Sequence, residues 1–215
     1  MSSQPTKYPR TYHLPWSLGI TSDDKVMRNL DRLRGQAVVV TEKMDGENTT
    51  LYRDIFHARS LDSRHHPSRD WVKGLWGRIR HDIPEGWRVC VENLYAQHSI
   101  AYTSLESYTY GISVWDSNNY CLSWEATRFR FGYFGIPVAP VLYEGVFDET
   151  IVKRLYDEKR DGKTKEGYVV RLKDSFHYSE FSECAGKFVR SSHVQTDKHW
   201  STGPVVPNKL AQGKG

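Results

Sequence analysis

Lys43 stands in the string Glu42-Lys43-Met44-Asp45-Gly46-Glu47. A lysine amine is a nucleophile only when neutral, and a side chain with a pKa of about 10.4 is almost wholly protonated at neutral pH. Neighbouring positive charge disfavours the ammonium, and neighbouring carboxylates favour it. A lysine beside acids at a turn is ordinarily a surface ion pair of little consequence. Further charged strings follow it in order: Ala58-Arg59-Ser60, Val91-Glu92-Asn93-Leu94-Tyr95, Tyr110-Gly111-Ile112-Ser113-Val114-Trp115-Asp116, Glu166-Gly167-Tyr168-Val169-Val170-Arg171 and Gly186-Lys187-Phe188-Val189-Arg190. Taken singly, each has a plain reading. Arg59 is a surface arginine, Glu92 a strand-end salt bridge, Trp115 a core tryptophan, Glu166 a turn carboxylate and Lys187 an exposed strand lysine.

As an ordered set, from about Thr41 to Arg190, these strings resemble the motifs of the covalent nucleotidyltransferases, which are the polynucleotide ligases and mRNA-capping enzymes. The flanks His13-Leu14-Pro15-Trp16-Ser17 and His193-Val194-Gln195-Thr196 resemble a subgroup of small ATP-dependent RNA ligases related to the second type of phage RNA ligase. The resemblance implies an ATP-grasp-like ligase core, ATP as AMP donor, and Mg²⁺ or Mn²⁺. It implies a partner that is RNA, or mixed RNA/DNA, with 5′-phosphate and 3′-hydroxyl ends. The implied chemistry has three steps. Lysine attacks the α-phosphate and expels pyrophosphate, AMP passes to a 5′-phosphate, and a 3′-hydroxyl then displaces AMP.

By the same resemblance, Lys43 is the nucleophile and Glu42 adjoins it in the nucleotide site. Arg59 binds the ribose or the nucleic-acid end, and Glu92 accepts from a ribose hydroxyl. Trp115 stands where relatives place an aromatic against adenine, usually Phe before Asp. Glu166 holds the catalytic metal and Lys187 contacts the α-phosphate. Asp45 either orients the 3′ end or supports its loop. Many relatives carry two lysines, KxK, in the last motif. Here only Lys187 is present, so either it suffices or Arg190 shares the phosphate charge, although arginine is no point-for-point substitute. The 3′-hydroxyl strand is expected to need RNA at its terminus, while the 5′-phosphate strand can be RNA or DNA. The rivals are a small DNA ligase, a capping-type guanylyltransferase, and a catalytically silent RNA-binding module.

The elements that must position these groups read as α+β, mainly antiparallel sheet with flanking helices. Residues 1–22 form an extended arm, 23–190 the nucleotidyltransferase domain and 191–215 a frayed C-terminal tail, too short for the roughly five strands of an OB-fold. Helices are expected over 23–34, 69–80, 124–134 and 149–159. Strands are expected over 36–41, 48–57, 87–91, 108–115, 138–143, 167–172 and 187–189, the first two joined as a hairpin across 43–47. The basic cluster Arg69, Lys73, Arg78 and Arg80 is either a phosphate-binding or a solvated helix face. His65 and His66 read as surface residues, and His193 as a candidate nucleic-acid contact.

The chain has 215 residues, 30 Lys plus Arg against 26 Asp plus Glu, and 13% aromatics. Such a load of aromatics argues against disorder, and the length is ample for a core. No apolar run is long enough to span a membrane, and the N-terminus lacks a secretory h-region. Three cysteines without CxxC spacing argue against disulfide and zinc frameworks. The expected location is cytoplasmic. The mild positive charge permits a nucleic-acid partner.

Overall fold

The computed structural model describes residues 4–62, 64–162, 164–191 and 204–212. Among these, eleven strands form two sheets. The five-stranded sheet runs β1 (Tyr12–His13), β11 (Ala185–Val189), β9 (Gly167–Leu172), β2 (Ala37–Lys43), β8 (Val141–Val146). The six-stranded sheet runs β10 (Phe176–His177), β7 (Tyr120–Cys121), β6 (Thr109–Trp115), β5 (Arg88–Asn93), β3 (Glu47–Leu51), β4 (Phe56–Ala58). Every pairing is antiparallel except β1 with β11. The expected mainly antiparallel α+β architecture is the one observed.

β2 is central because its valines are buried on both faces: Val38, Val39 and Val40 are all 0% exposed. Its two edges are taken by β8 and β9, so it cannot form the expected hairpin with β3. β3 pairs instead with β4 and β5 in the other sheet. The segment Met44–Gly46 is therefore a crossing between sheets. Gly46 makes it possible, since a Cβ there would lie 2.5 Å from the Asn93 carbonyl oxygen and 2.6 Å from Leu94 Cδ2.

Helix α1 (Asp70–Ile79) packs Val72, Leu75 and Ile79 against the six-stranded sheet, and α2 (Trp124–Tyr133) adds Phe131 to the same cluster. Both match the expected helices within a residue. The expected helix over 23–34 is a series of turns. The backbone of 25–27 is claimed by the arm, where His13 N donates to Lys25 O at 2.8 Å and Met27 N to His13 O at 2.8 Å. That pairing removes the groups a helix would need. The expected helix over 149–159 is two short ones, α3 (Glu149–Lys153) and α4 (Glu158–Asp161). Asp157 breaks it by capping a new start, accepting from the backbone N–H groups of Lys159 and Arg160 at 3.0 Å. The strand expected at 138–143 begins at Val141 instead, after Pro137 and Pro140.

The described part of the tail is not frayed. Residues Pro207 and Leu210 bridge to Ala96 and Leu105, and the Asn208 side chain is 3% exposed. Asn208 donates to Leu94 O at 2.8 Å and accepts from Tyr102 N at 2.8 Å. His193 and its string lie outside the described residues.

Candidate active site

Strand register builds the site. Lys43 ends β2 opposite Gly167, the first residue of β9. Glu166 precedes that glycine and so arrives beside the lysine, with Nζ donating to Oε2 at 2.6 Å. The glycine is required. Its φ is +155°, and a Cβ would overlap the carbonyl oxygen of Phe188 on β11. On the opposite sheet Asn48 pairs with Glu92, which places that carboxylate across from Lys43. A cleft of about 1680 Å³ lies between the sheets, and Glu42, Lys43, Asp45, Arg59, Glu92, Glu166 and Lys187 all line it.

The electrostatics are those of a crowded ion cluster. Burial acts to lower the pKa of Lys43, but Glu166, then Glu92 and Asp45, outweigh it, and the net direction is upward. Burial pushes the Glu92 carboxyl up to about 8; Lys43 opposes this, while Glu166, Asp45 and Glu47 add to it. Burial raises Glu42, with Lys165 opposing. Burial lowers Lys187, with Asp24 opposing and Lys43 and Arg59 among the charges near it.

Asp45 supports its loop. It is buried, and its Oδ2 accepts from Ser99 Oγ at 2.8 Å and Ile100 N at 2.7 Å. Glu47 is held by Arg69, whose Nε donates to Oε2 at 2.7 Å. Arg69 is thereby removed from the expected phosphate-binding face, and Arg80 lies over the Trp76 ring.

Two expected site residues are turned away from the cleft. Trp115 is 0% exposed. Its indole N–H donates to Ser113 Oγ at 2.9 Å, and its ring is boxed by Phe176, Tyr178, Phe181 and the Arg88 guanidinium. It is a core residue with no free face for a purine. Arg190 does not join Lys187. Side chains alternate across a strand, so Ala185, Lys187 and Val189 line the cleft while Phe188 stacks on Tyr168 behind it. Arg190 follows Phe188 in parity, and its Nη1 donates to the Gly162 carbonyl.

Asp24, His13, Arg171, Trp124 and Tyr8 line the cleft and had no role assigned from sequence. Asp24, in the misread helix, lies 3.7 Å from Lys187 Nζ. His13 lies 3.3 Å from Asp24 through Nε2 and hydrogen-bonds Ser17 Oγ through Nδ1 at 2.7 Å. Arg171 is 6% exposed, with Nη2 and Nε bonded to the Leu122 and Leu172 carbonyls. Its Nη1, like Trp124 Nε1, is buried without a partner among the described residues. Tyr8 closes the same floor, its hydroxyl against Ser113 and its pKa raised by burial. The alternation Gly167, Val169, Arg171 along β9 was the available signal for Arg171.

Among the described residues no three His, Cys, Asp or Glu side chains could together hold an ion. Glu166, with Glu92 nearby, offers one or two carboxylates. That donor set suits a Mg²⁺ or Mn²⁺ ion whose remaining ligands are phosphate oxygens and water, and it does not suit an all-protein cage.

Residues 36–189 match the model of the RNA ligase family, and the chain belongs to that family. Comparison with curated protein sequences gave no match. Among solved structures, an archaeal ATP-dependent RNA ligase (form 2) superposes with a TM-score of 0.58 at 14% identity, over 86% of this chain and 48% of that one. A Naegleria gruberi RNA ligase mutant with AMP and Mn gives 0.53 at 15%, over 80% and 55%. An Aquifex aeolicus protein described as an ATP-dependent DNA ligase gives 0.55 at 17%, over 86% and 50%. The chain thus spans about half the length of these proteins, and the likeness is one of fold.

Proposed function

We propose that the protein is an ATP-dependent RNA ligase that joins 5′-phosphate and 3′-hydroxyl ends through a lysyl-AMP intermediate on Lys43. The observation that supports it most is the convergence of Lys43, Glu92, Glu166 and Lys187 on one cleft in a chain of the RNA ligase family. Lys43 Nζ bonds to the α-phosphorus as the α–β phosphoanhydride breaks and pyrophosphate leaves. The Lys43 ammonium gives one proton to a neighbouring carboxylate or to water before it attacks, and the nitrogen sheds a second to water as the N–P bond forms. Lys187, an ammonium kept from full hydration, faces the charge that builds on the α-phosphate. Glu166 would hold the divalent cation, which would neutralise phosphate charge. Asp24 fixes Lys187, and Thr21 holds Asp24 through its N–H and hydroxyl at 3.1 and 2.9 Å, with His13 beside it. The floor donors Arg171 and Trp124 suit the polar edge of a purine, with Val169 and Ile112 against its faces. A 5′-phosphate oxygen then takes AMP from Lys43, which regains its amine. A 3′-hydroxyl attacks the 5′-phosphorus, and AMP leaves.

The substrate class, RNA or mixed RNA/DNA, belongs to the same proposal, as does the division into an arm (1–22), a catalytic unit (23–190) and a tail. A reducing, cytoplasmic setting suits three buried free cysteines. Among the described residues no helix is long and apolar enough to cross a membrane. The test is incubation with α-labelled ATP, α-labelled GTP and a divalent metal, followed by sealing of nicked duplexes that differ only in the sugars at the nick. Acid-labile, base-stable label from ATP, absent in Lys43→Ala, and sealing that needs a ribose at the 3′-hydroxyl end are expected. Labelling from GTP alone, or equal sealing of all-DNA nicks, would overturn the reading.

A further inference from the structure

We propose that Lys7 and Arg10 of the arm, with Arg59, form a second site that binds a backbone phosphate of the RNA strand. This rests on the RNA-ligase reading above. A side cavity of about 350 Å³ is lined by Lys7, Tyr8, Pro9, Arg10, Arg59 and Tyr178. That volume is at the low end for ligand pockets, roughly 300–1,000 Å³. Five of its six residues also line the main cleft, so the two spaces are continuous. The wall holds three cations and no carboxylate.

These cations are poorly compensated. Arg10 approaches Asp23 and Asp24 only at 3.8 Å. Neither Lys7 nor Arg59 makes an ion pair among the described residues. Their backbone is nonetheless held in place. The Tyr178 hydroxyl donates to the Lys7 carbonyl at 2.9 Å, Thr6 N donates to the Tyr52 hydroxyl at 2.7 Å, and the Tyr8 ring meets Phe181 edge-on at 5.7 Å. Like charges fixed around one hollow repel one another until an anion enters. A phosphodiester satisfies them, and guanidinium groups match phosphate oxygens in a bidentate way. Tyr178 adds a wall on which a base can rest.

A phosphate there could also come from the β- and γ-phosphates of ATP, and the two sources separate by step. The experiment uses the full chain, with Lys7→Ala, Arg10→Ala, the double variant, and the charge-keeping pair Lys7→Arg and Arg10→Lys. Self-labelling with α-labelled ATP is measured first. Binding of a 5′-adenylylated RNA is then followed over a salt series. In the double variant, labelling is expected within twofold of wild type and RNA affinity about tenfold weaker. The plot of log affinity against log salt should be shallower by about 0.7 per charge removed. The charge-keeping variants should restore both. Unchanged affinity and slope in the double variant would overturn the proposal. Lost self-labelling with intact RNA binding would also overturn it and assign the cations to ATP. Wild-type protein that neither labels nor binds RNA would instead defeat the ligase reading beneath it.

Discussion

The ammonium of Lys43 donates to Glu166 across the β2–β9 register at 2.6 Å, so the proposed nucleophile and the proposed metal-organising carboxylate are ion partners. The pair holds the amine in its unreactive form. Anything that draws Glu166 away, such as a cation arriving with the triphosphate, weakens that hold.

The first prediction follows from the direction of this shift. Burial alone would lower the Lys43 pKa, yet Glu166, Glu92 and Asp45 carry it upward. Its reactivity toward a small acylating reagent, mapped by peptide mass spectrometry over about pH 6 to 10, should rise at higher pH than that of a lysine in a short unstructured peptide. Glu166→Gln should move the Lys43 profile to lower pH. Coincident Lys43 profiles in the two proteins would show that Glu166 does not set the protonation state.

Glu92 gives the second prediction. Burial first, and then Glu166, Asp45 and Glu47, push its carboxyl up to about 8 despite Lys43. The folded protein therefore binds a proton here that the unfolded chain has released. Stability from this group is full below the ordinary carboxylate pKa and is lost as pH rises through about 8. Glu92→Gln should match wild type near pH 5 and exceed it near pH 8.5 by up to about 4 kcal/mol. Denaturant unfolding at both pH values measures this. A variant that tracks wild type at both refutes the shift.

The residues that gather in the cleft were more legible in the sequence than the geometry that gathers them. Lys43, Glu92, Glu166 and Lys187 were legible through the ordered set of strings that resembles the covalent nucleotidyltransferases, and all four line the cleft. The strands that carry them were legible as β-branched runs. The placement of β2 and β3 was not, because the three-residue gap between them looks like a hairpin until β8 and β9 are seen to occupy both edges of β2. Residues 23–34 misled for a similar reason. Val26, Leu30 and Leu33 keep helical spacing, but the arm captures the backbone of 25–27, and Asp24 then reaches the site from a turn. Whether Arg190 shares the phosphate charge was left open by the sequence; it lies just past the end of β11, where its Nη1 donates to the Gly162 carbonyl.

The third prediction tests the reassignment of Trp115. Its N–H is satisfied by Ser113, its ring is enclosed by three aromatics, and it is 0% exposed. As a core residue it should respond to substitution through stability. Trp115→Phe should cost about 1–3 kcal/mol through a lost hydrogen bond and a small void, and Trp115→Leu somewhat more. In a chain of this length that lowers Tm by roughly 3–10 °C for the first variant. The ATP concentration that half-saturates self-labelling should stay within about twofold of wild type in both, measured well below their Tm, because the Trp115 ring itself does not line the cleft and reaches it only from behind Ser113, Phe176 and Phe181. A tryptophan stacked on adenine would behave in the opposite way. Base–aromatic stacking is worth about 1–3 kcal/mol per base, so Leu would raise half-saturation by about five- to a hundredfold while Phe kept much of the contact. A large rise in half-saturation for Leu with little change in Tm would return Trp115 to the nucleotide site.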